Sequence, residues 1–64
     1  MPKLTAREQQ VLELVIAGHS NKEIGRLLGT SPRTVELQRA SAMAKVGAKN
    51  TADLVRIALS SGNP

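Results

Sequence analysis

Four helix starts are written into this 64-residue chain, and each is answered by a glycine stop. Thr5-x-x-Glu8 is a capping box: the hydroxyl accepts an early backbone N–H, and the glutamate reaches back to the cap residue's own N–H. Ser20-x-x-Glu23 repeats the pattern. Ser31-Pro32 puts a capping hydroxyl before a proline at the first helical position, where the missing N–H costs nothing. Asn50-x-x-Asp53 is a weaker fourth start. Gly18, Gly29, Gly47 and Gly62 each follow an apolar stretch, where a left-handed residue ends a helix. These signals predict helices at about 6–17, 21–28, 32–46 and 51–60, with residues 1–3 and 62–64 frayed. No stretch alternates with period two, so no strand is expected. The expectation is one all-α domain covering residues 1–64.

Composition removes several functions. There is no cysteine, which excludes a disulfide-stapled mini-protein and a thiolate metal site. No apolar run approaches the roughly 20 residues needed to span a bilayer, and the start lacks the apolar region of a signal peptide. A cytoplasmic location and no membrane partner are therefore expected. One histidine and five scattered carboxylates offer neither a nucleophile–base pair nor a three-ligand metal set, so no enzyme activity, cofactor or metal is expected. There is also no aromatic residue. Apart from His19 and the arginines, nothing can stack on unpaired bases, which argues against binders of single strands or RNA loops. Aromatics usually dominate small cores, so this core should be thin and open to help from efficient aliphatic packing or a second subunit.

The net charge of +4 is unevenly placed. Lys22, Arg26, Arg33, Arg39, Lys45 and Lys49, set against Glu23 and Glu36, put the whole excess in residues 20–49. Elsewhere Lys3, Arg7 and Arg56 are balanced by Glu8, Glu13 and Asp53. A confined basic region on a small domain suits a polyanion, though it also suits a merely solvated face.

Helical periodicity sorts the side chains. In the first helix Val11, Leu12, Leu14 and Val15 form a core stripe, with Arg7, Gln9 and Glu13 outside. In the second, Ile24, Leu27 and Leu28 face inward. Gly25 is costly in mid-helix, which suggests close approach of the next helix. In the third, Val35, Ala42 and Val46 fall within about 40° of one another, with Met43 flanking them as core filler. The opposite face carries Arg33, Leu37, Ala40 and Ala44, with Glu36 and Ser41 at its edges. Small residues permit close approach to a major groove, an apolar group can meet a thymine methyl, and an arginine can meet guanine or phosphate. The connection Leu28-Gly29-Thr30-Ser31 is the short glycine-containing turn of a helix-turn-helix, whose second helix lies in the groove. Thr30, Ser31, Arg33 and Thr34 are donors near that helix's N-terminus, where the free N–H groups favour a phosphate. Lys22 can reach phosphates from the preceding helix.

At this point a family resemblance is visible. Leu4-Thr5-x-Arg7-Glu8-x-x-Val11-Leu12, Gly18-x-Ser20-Asn21-Lys22-Glu23-Ile24, Leu28-Gly29-x-Ser31-x-x-Thr34-Val35 and Lys45-x-Gly47-Ala48-Lys49 resemble the LuxR/FixJ-type helix-turn-helix DNA-binding domain. The resemblance covers about Leu4 to Leu59. It implies a four-helix domain, usually the C-terminal output half of a two-component response regulator or quorum-sensing regulator, that controls bacterial transcription by binding promoter DNA. It implies base contacts from Glu36, Leu37 and Ala40, and phosphate contacts from Thr30, Ser31, Arg33, Thr34 and Lys45. It also implies a missing N-terminal receiver domain, a contact with RNA polymerase, and a homodimer through the fourth helix. Gln38 and Ser41 stand where the family often has His and Asn, and Gly25 replaces the usual Ala.

Arg39 sits beside the core stripe, suited equally to an ion pair with a glutamate of the first helix and to a phosphate contact. Glu36 can accept from cytosine N4, repel unsuitable sequences or simply face solvent. His19 is expected as a surface turn residue. In the fourth helix Leu54, Ile57 and Ala58 are assigned to the core. Ala52, Val55 and Leu59 form a second stripe left in water, which a twofold dimer or a missing domain would cover. A promoter-reading region of a sigma factor shares the Thr-x-Arg-Glu start, but the capped fourth helix with its outer stripe favours the LuxR/FixJ type. A helical anti-regulator module binding proteins through the fourth helix would show no salt-dependent affinity for DNA.

Overall fold

The computed structural model describes residues 3–61. The stop at Gly62 and most of the expected fraying, at residues 1–2 and 62–64, lie outside the described residues. Four helices follow one another: α1 (Ala6–Ile16), α2 (Asn21–Leu28), α3 (Pro32–Val46) and α4 (Thr51–Ser61). Among the described residues there is no strand.

Both capping boxes close as the local chemistry dictates. The Thr5 and Ser20 hydroxyls accept from the backbone N–H of Glu8 and Glu23, and each glutamate accepts from its cap residue's N–H at 2.8 and 2.9 Å. At α4 only half of the box forms. Asn50 Oδ1 accepts from the Asp53 N–H, but the Asp53 carboxylate accepts from the Lys49 N–H instead. The helices stop where glycine permits a left-handed residue. Gly18, Gly29 and Gly47 have φ of 98°, 71° and 77°. After Gly18 and Gly47 the next N–H reaches back five residues to a helix carbonyl, His19 to Leu14 and Ala48 to Met43, satisfying groups the helix end would orphan. The α1 stop falls one residue earlier than expected, with Ala17 as the cap.

The core is small and wholly aliphatic. Val11, Leu12 and Val15 of α1, Ile24 of α2, Val35 and Ala42 of α3 and Leu54 of α4 are buried together. Leu4, Leu14, Leu28, Met43, Val46 and Ala48 pack around them. α3 is the central element: it packs on α1, α2 and α4, whereas α2 and α4 do not pack on each other.

Four residues are placed differently from expectation. Leu27, expected in the core, is 60% exposed. It lies at the lip of a groove with Gln10, Glu13 and Leu14, because α2 is covered only on its α1 and α3 sides and Leu27 falls past the edge of that cover. In α4, Leu54 is buried as expected, but Ile57 and Ala58 are only half-buried. Val55, expected in water, is also half-buried, while Ala52 is exposed and Leu59 is 72% exposed.

Gly25 is explained by its neighbours. A Cβ there would lie 2.7 Å from the Thr30 carbonyl oxygen and 3.4 Å from Pro32 N. The Gly25 carbonyl in turn accepts from the N–H groups of Gly29 and Thr30. The turn between α2 and α3 is therefore folded directly onto Gly25, and the missing side chain lets the two helices meet this closely.

Candidate nucleic-acid interface

α3 presents two chemically different sides. The inward stripe of Val35 and Ala42 is fully buried. On the opposite side Arg33, Glu36, Leu37, Ala40 and Ala44 are exposed, with Leu37 at 56%. The three expected base-contact positions, Glu36, Leu37 and Ala40, thus share one uncovered surface. Arg33 and Glu36 stand 3.8 Å apart, which is ion-pair distance but too long for a hydrogen bond. With side chains 75% and 51% exposed, this pair is worth little in water and leaves both groups available.

At the start of α3, the Ser31 hydroxyl accepts from the Thr34 N–H at 3.1 Å and lies 3.0 Å from the Thr34 hydroxyl. Thr30 and Thr34 are half-buried, and Ser31 and Arg33 are exposed. Lys22 is exposed near the start of α2. Lys22 thus lies in the first turn of α2, and the other four lie in the tight turn and the first turn of α3.

Lys45 is placed differently from the others. Its ammonium donates to Glu8 Oε1 at 2.8 Å, and Ser41 donates to Glu8 Oε2 at 2.9 Å. Glu8 therefore does two jobs: it closes the α1 cap and fastens α3 to α1. Its side chain is only 10% exposed. The hydrogen bonds from Lys45, Thr5 and Ser41 hold its carboxyl at a pKa of about 2, against the opposing effect of burial. The sequence pattern shows Glu8 only as a cap. The further signal was Ser41 and Lys45, one turn apart on the same flank of α3.

The ion pair to α1 thus belongs to Lys45, and Arg39 does not make it. Arg39 donates to Asn21 Oδ1 at 3.3 Å and to the Thr51 hydroxyl. Its position on α3 turns it toward the starts of α2 and α4, away from Glu8 and Glu13. Ser41 is committed to Glu8, and Gln38 is half-buried with its Oε1 shielded and unpartnered. His19 is half-buried in the turn after α1, with Nδ1 3.8 Å from Glu23 Oε1. No helix among the described residues is long and apolar enough to cross a membrane.

A short turn closed onto a glycine, followed by a helix with one buried side and one bare, partly basic side, defines a helix-turn-helix DNA-binding domain. Comparison with known proteins narrows the class. The family model for bacterial regulatory proteins of the luxR family matches residues 2–58, and the chain belongs to that family. It is 54% identical over 59 residues to the transcriptional regulatory protein FixJ of Rhizobium meliloti (strain 1021), covering 92% of this chain and 29% of that protein. Similarity extends to the transcriptional regulatory protein TdiR of Thauera aromatica, 45% identical over 88% of this chain and 25% of that one. UhpA of Escherichia coli (strain K12), another transcriptional regulatory protein, is 47% identical over 83% and 27%. The chain thus spans less than a third of the length of these curated relatives. No solved structure gives a significant match.

Proposed function

We propose that this chain is the DNA-binding output module of a longer two-component response regulator and recognises duplex promoter DNA by placing α3 in the major groove. The observation that carries the reading is the bare outward face of α3, set inside the segment that holds the entire net charge of +4. Glu36, Leu37 and Ala40 meet base edges. Lys22, Thr30, Ser31, Arg33 and Thr34 meet phosphates. Lys45 retains two N–H donors beyond the one given to Glu8, enough to reach a phosphate from the flank. The exposed Ala52 and Leu59, with Val55 between them, form a twofold dimer contact on DNA. The relatives' greater length supports a preceding receiver domain, the regulatory role implies a contact with RNA polymerase, and the setting is the cytoplasm.

Selection of bound duplexes from a random pool tests this. The expected product is a twofold motif whose half-sites lie about one helical turn apart. A pool with no enriched motif after selection would refute sequence-specific recognition.

A further inference from the structure

Arg39 occupies the flank of α3 between the buried stripe and the groove-facing surface, half-buried. Its guanidinium holds Asn21, the first residue of α2, and Thr51, the first residue of α4. Those two helices do not pack on each other, so one side chain joins the starts of both to the middle of α3. The arrangement is not an electrostatic convenience. A helix start carries partial positive charge and disfavours a cation. No carboxylate lies within ion-pair distance of Arg39 among the described residues. What the guanidinium adds is geometry: a planar fork held at two points fixes direction as well as distance.

We propose that Arg39 is a positioning residue for DNA recognition. It sets the orientation of α3 relative to α2 and α4, and so determines affinity without itself touching DNA. The proposal rests on the reading of α3 as the groove helix. It deepens that reading by assigning a role to a residue outside the exposed face. The two flanks of α3 are then tied independently: Glu8 holds Ser41 and Lys45 on one, and Arg39 holds Asn21 and Thr51 on the other.

The test uses the 64-residue chain and the duplex recovered by selection, with binding measured at several salt concentrations and amide exchange measured without DNA. Arg39→Met keeps the stem and removes the fork. The expected result is at least a tenfold loss of affinity, an unchanged salt slope, and faster exchange in the first turns of both α2 and α4. Arg39→Lys should not restore either property, because one ammonium cannot hold both acceptors in the same geometry. Asn21→Ala and Thr51→Val each cut one arm and should each reproduce part of the loss. Combined with Arg39→Met they should add nothing. These milder variants decide the matter if Arg39→Met fails to fold. A salt slope lowered by about one with exchange unchanged would make Arg39 a direct phosphate contact and overturn the proposal. Unchanged affinity in every variant would also overturn it. If the parent chain fails to bind any duplex, the groove-helix reading fails, and the role assigned to Arg39 fails with it. Exchange at α2 and α4 would then report only whether the tie is structural.

Discussion

The two sides of α3 share one backbone and differ in almost everything else. On the inward side Val35 and Ala42 are fully buried, and three of the polar groups at its margins are bound within the chain. Ser41 and Lys45 are bound to Glu8, and Arg39 to Asn21 and Thr51. On the outward side Leu37 is 56% exposed, Ala40 and Ala44 touch solvent, and Arg33 and Glu36 make only a loose pair. The fold accounts for one side of the helix and leaves the other unexplained. A leucine with small neighbours and an arginine has no packing duty there, so its composition is free to serve a partner. The contrast separates residues that make the domain from residues that use it.

Substitutions across the helix should keep those roles apart. The largest expected effect is on the inward side. Val35→Ala should destabilise the domain by about 2 kcal/mol, from lost transfer energy and a residual cavity, read by chemical denaturation. Gly25→Ala tests the turn that delivers α3. The added methyl gains helix propensity worth roughly 1 kcal/mol but must displace the Thr30 backbone, so a net loss of about 1 kcal/mol is expected. A gain in stability would show that the turn yields easily.

Glu8 gives the inward side a pH signature. Its carboxyl is held at about 2 in the folded state, below its ordinary value of 4.5. The unfolded chain therefore takes up this proton first as pH falls. The stabilisation is fully present above about 4.5 and is lost progressively toward pH 2. Glu23 and Asp53 are also lowered, by the backbone N–H groups of Ser20 and Lys49 foremost, so their effects carry the same sign. Glu8→Gln should be less stable at neutral pH and should flatten much of this acid dependence in a series of denaturation curves. An unchanged pH profile would remove Glu8 as the fastener between α1 and α3.

The smallest effects on stability belong to the outward side. Leu37→Ala and Arg33→Ala should each alter stability by no more than about 0.5 kcal/mol. Their DNA phenotypes should differ: Leu37→Ala shifts the preferred sequence, whereas Arg33→Ala weakens all sequences alike. Equal losses on every duplex for both variants would contradict the separation of base and phosphate contacts.

What could be read along the chain follows the range of each interaction. The helices and their ends are encoded locally, in Thr5/Glu8, Ser20/Glu23, Ser31-Pro32 and the glycines; α2 and α3 appear with the expected bounds, and only the ends of α1 and α4 move, by one residue each. The core stripe of α3 follows from period alone. Leu27 does not, because periodicity gives a direction around a helix but not where the neighbouring helix ends. The ties to Glu8 and Arg39 carry little local signal beyond the one-turn spacing of Ser41 and Lys45. They join residues 33, 37, 18 and 12 positions apart, and only the packing decides which cation meets which acceptor. The bare face of α3 could be placed from the sequence, because period fixes which side of the helix lies opposite the buried stripe.

The most direct test is the salt dependence of binding to duplex DNA. If Lys22, Arg33 and Lys45 each meet a phosphate, the logarithm of affinity should fall against the logarithm of salt with a slope near −2.7 per bound chain (about −0.9 for each contact). A flat response across the same range would contradict the assignment of α3 as a groove-binding helix.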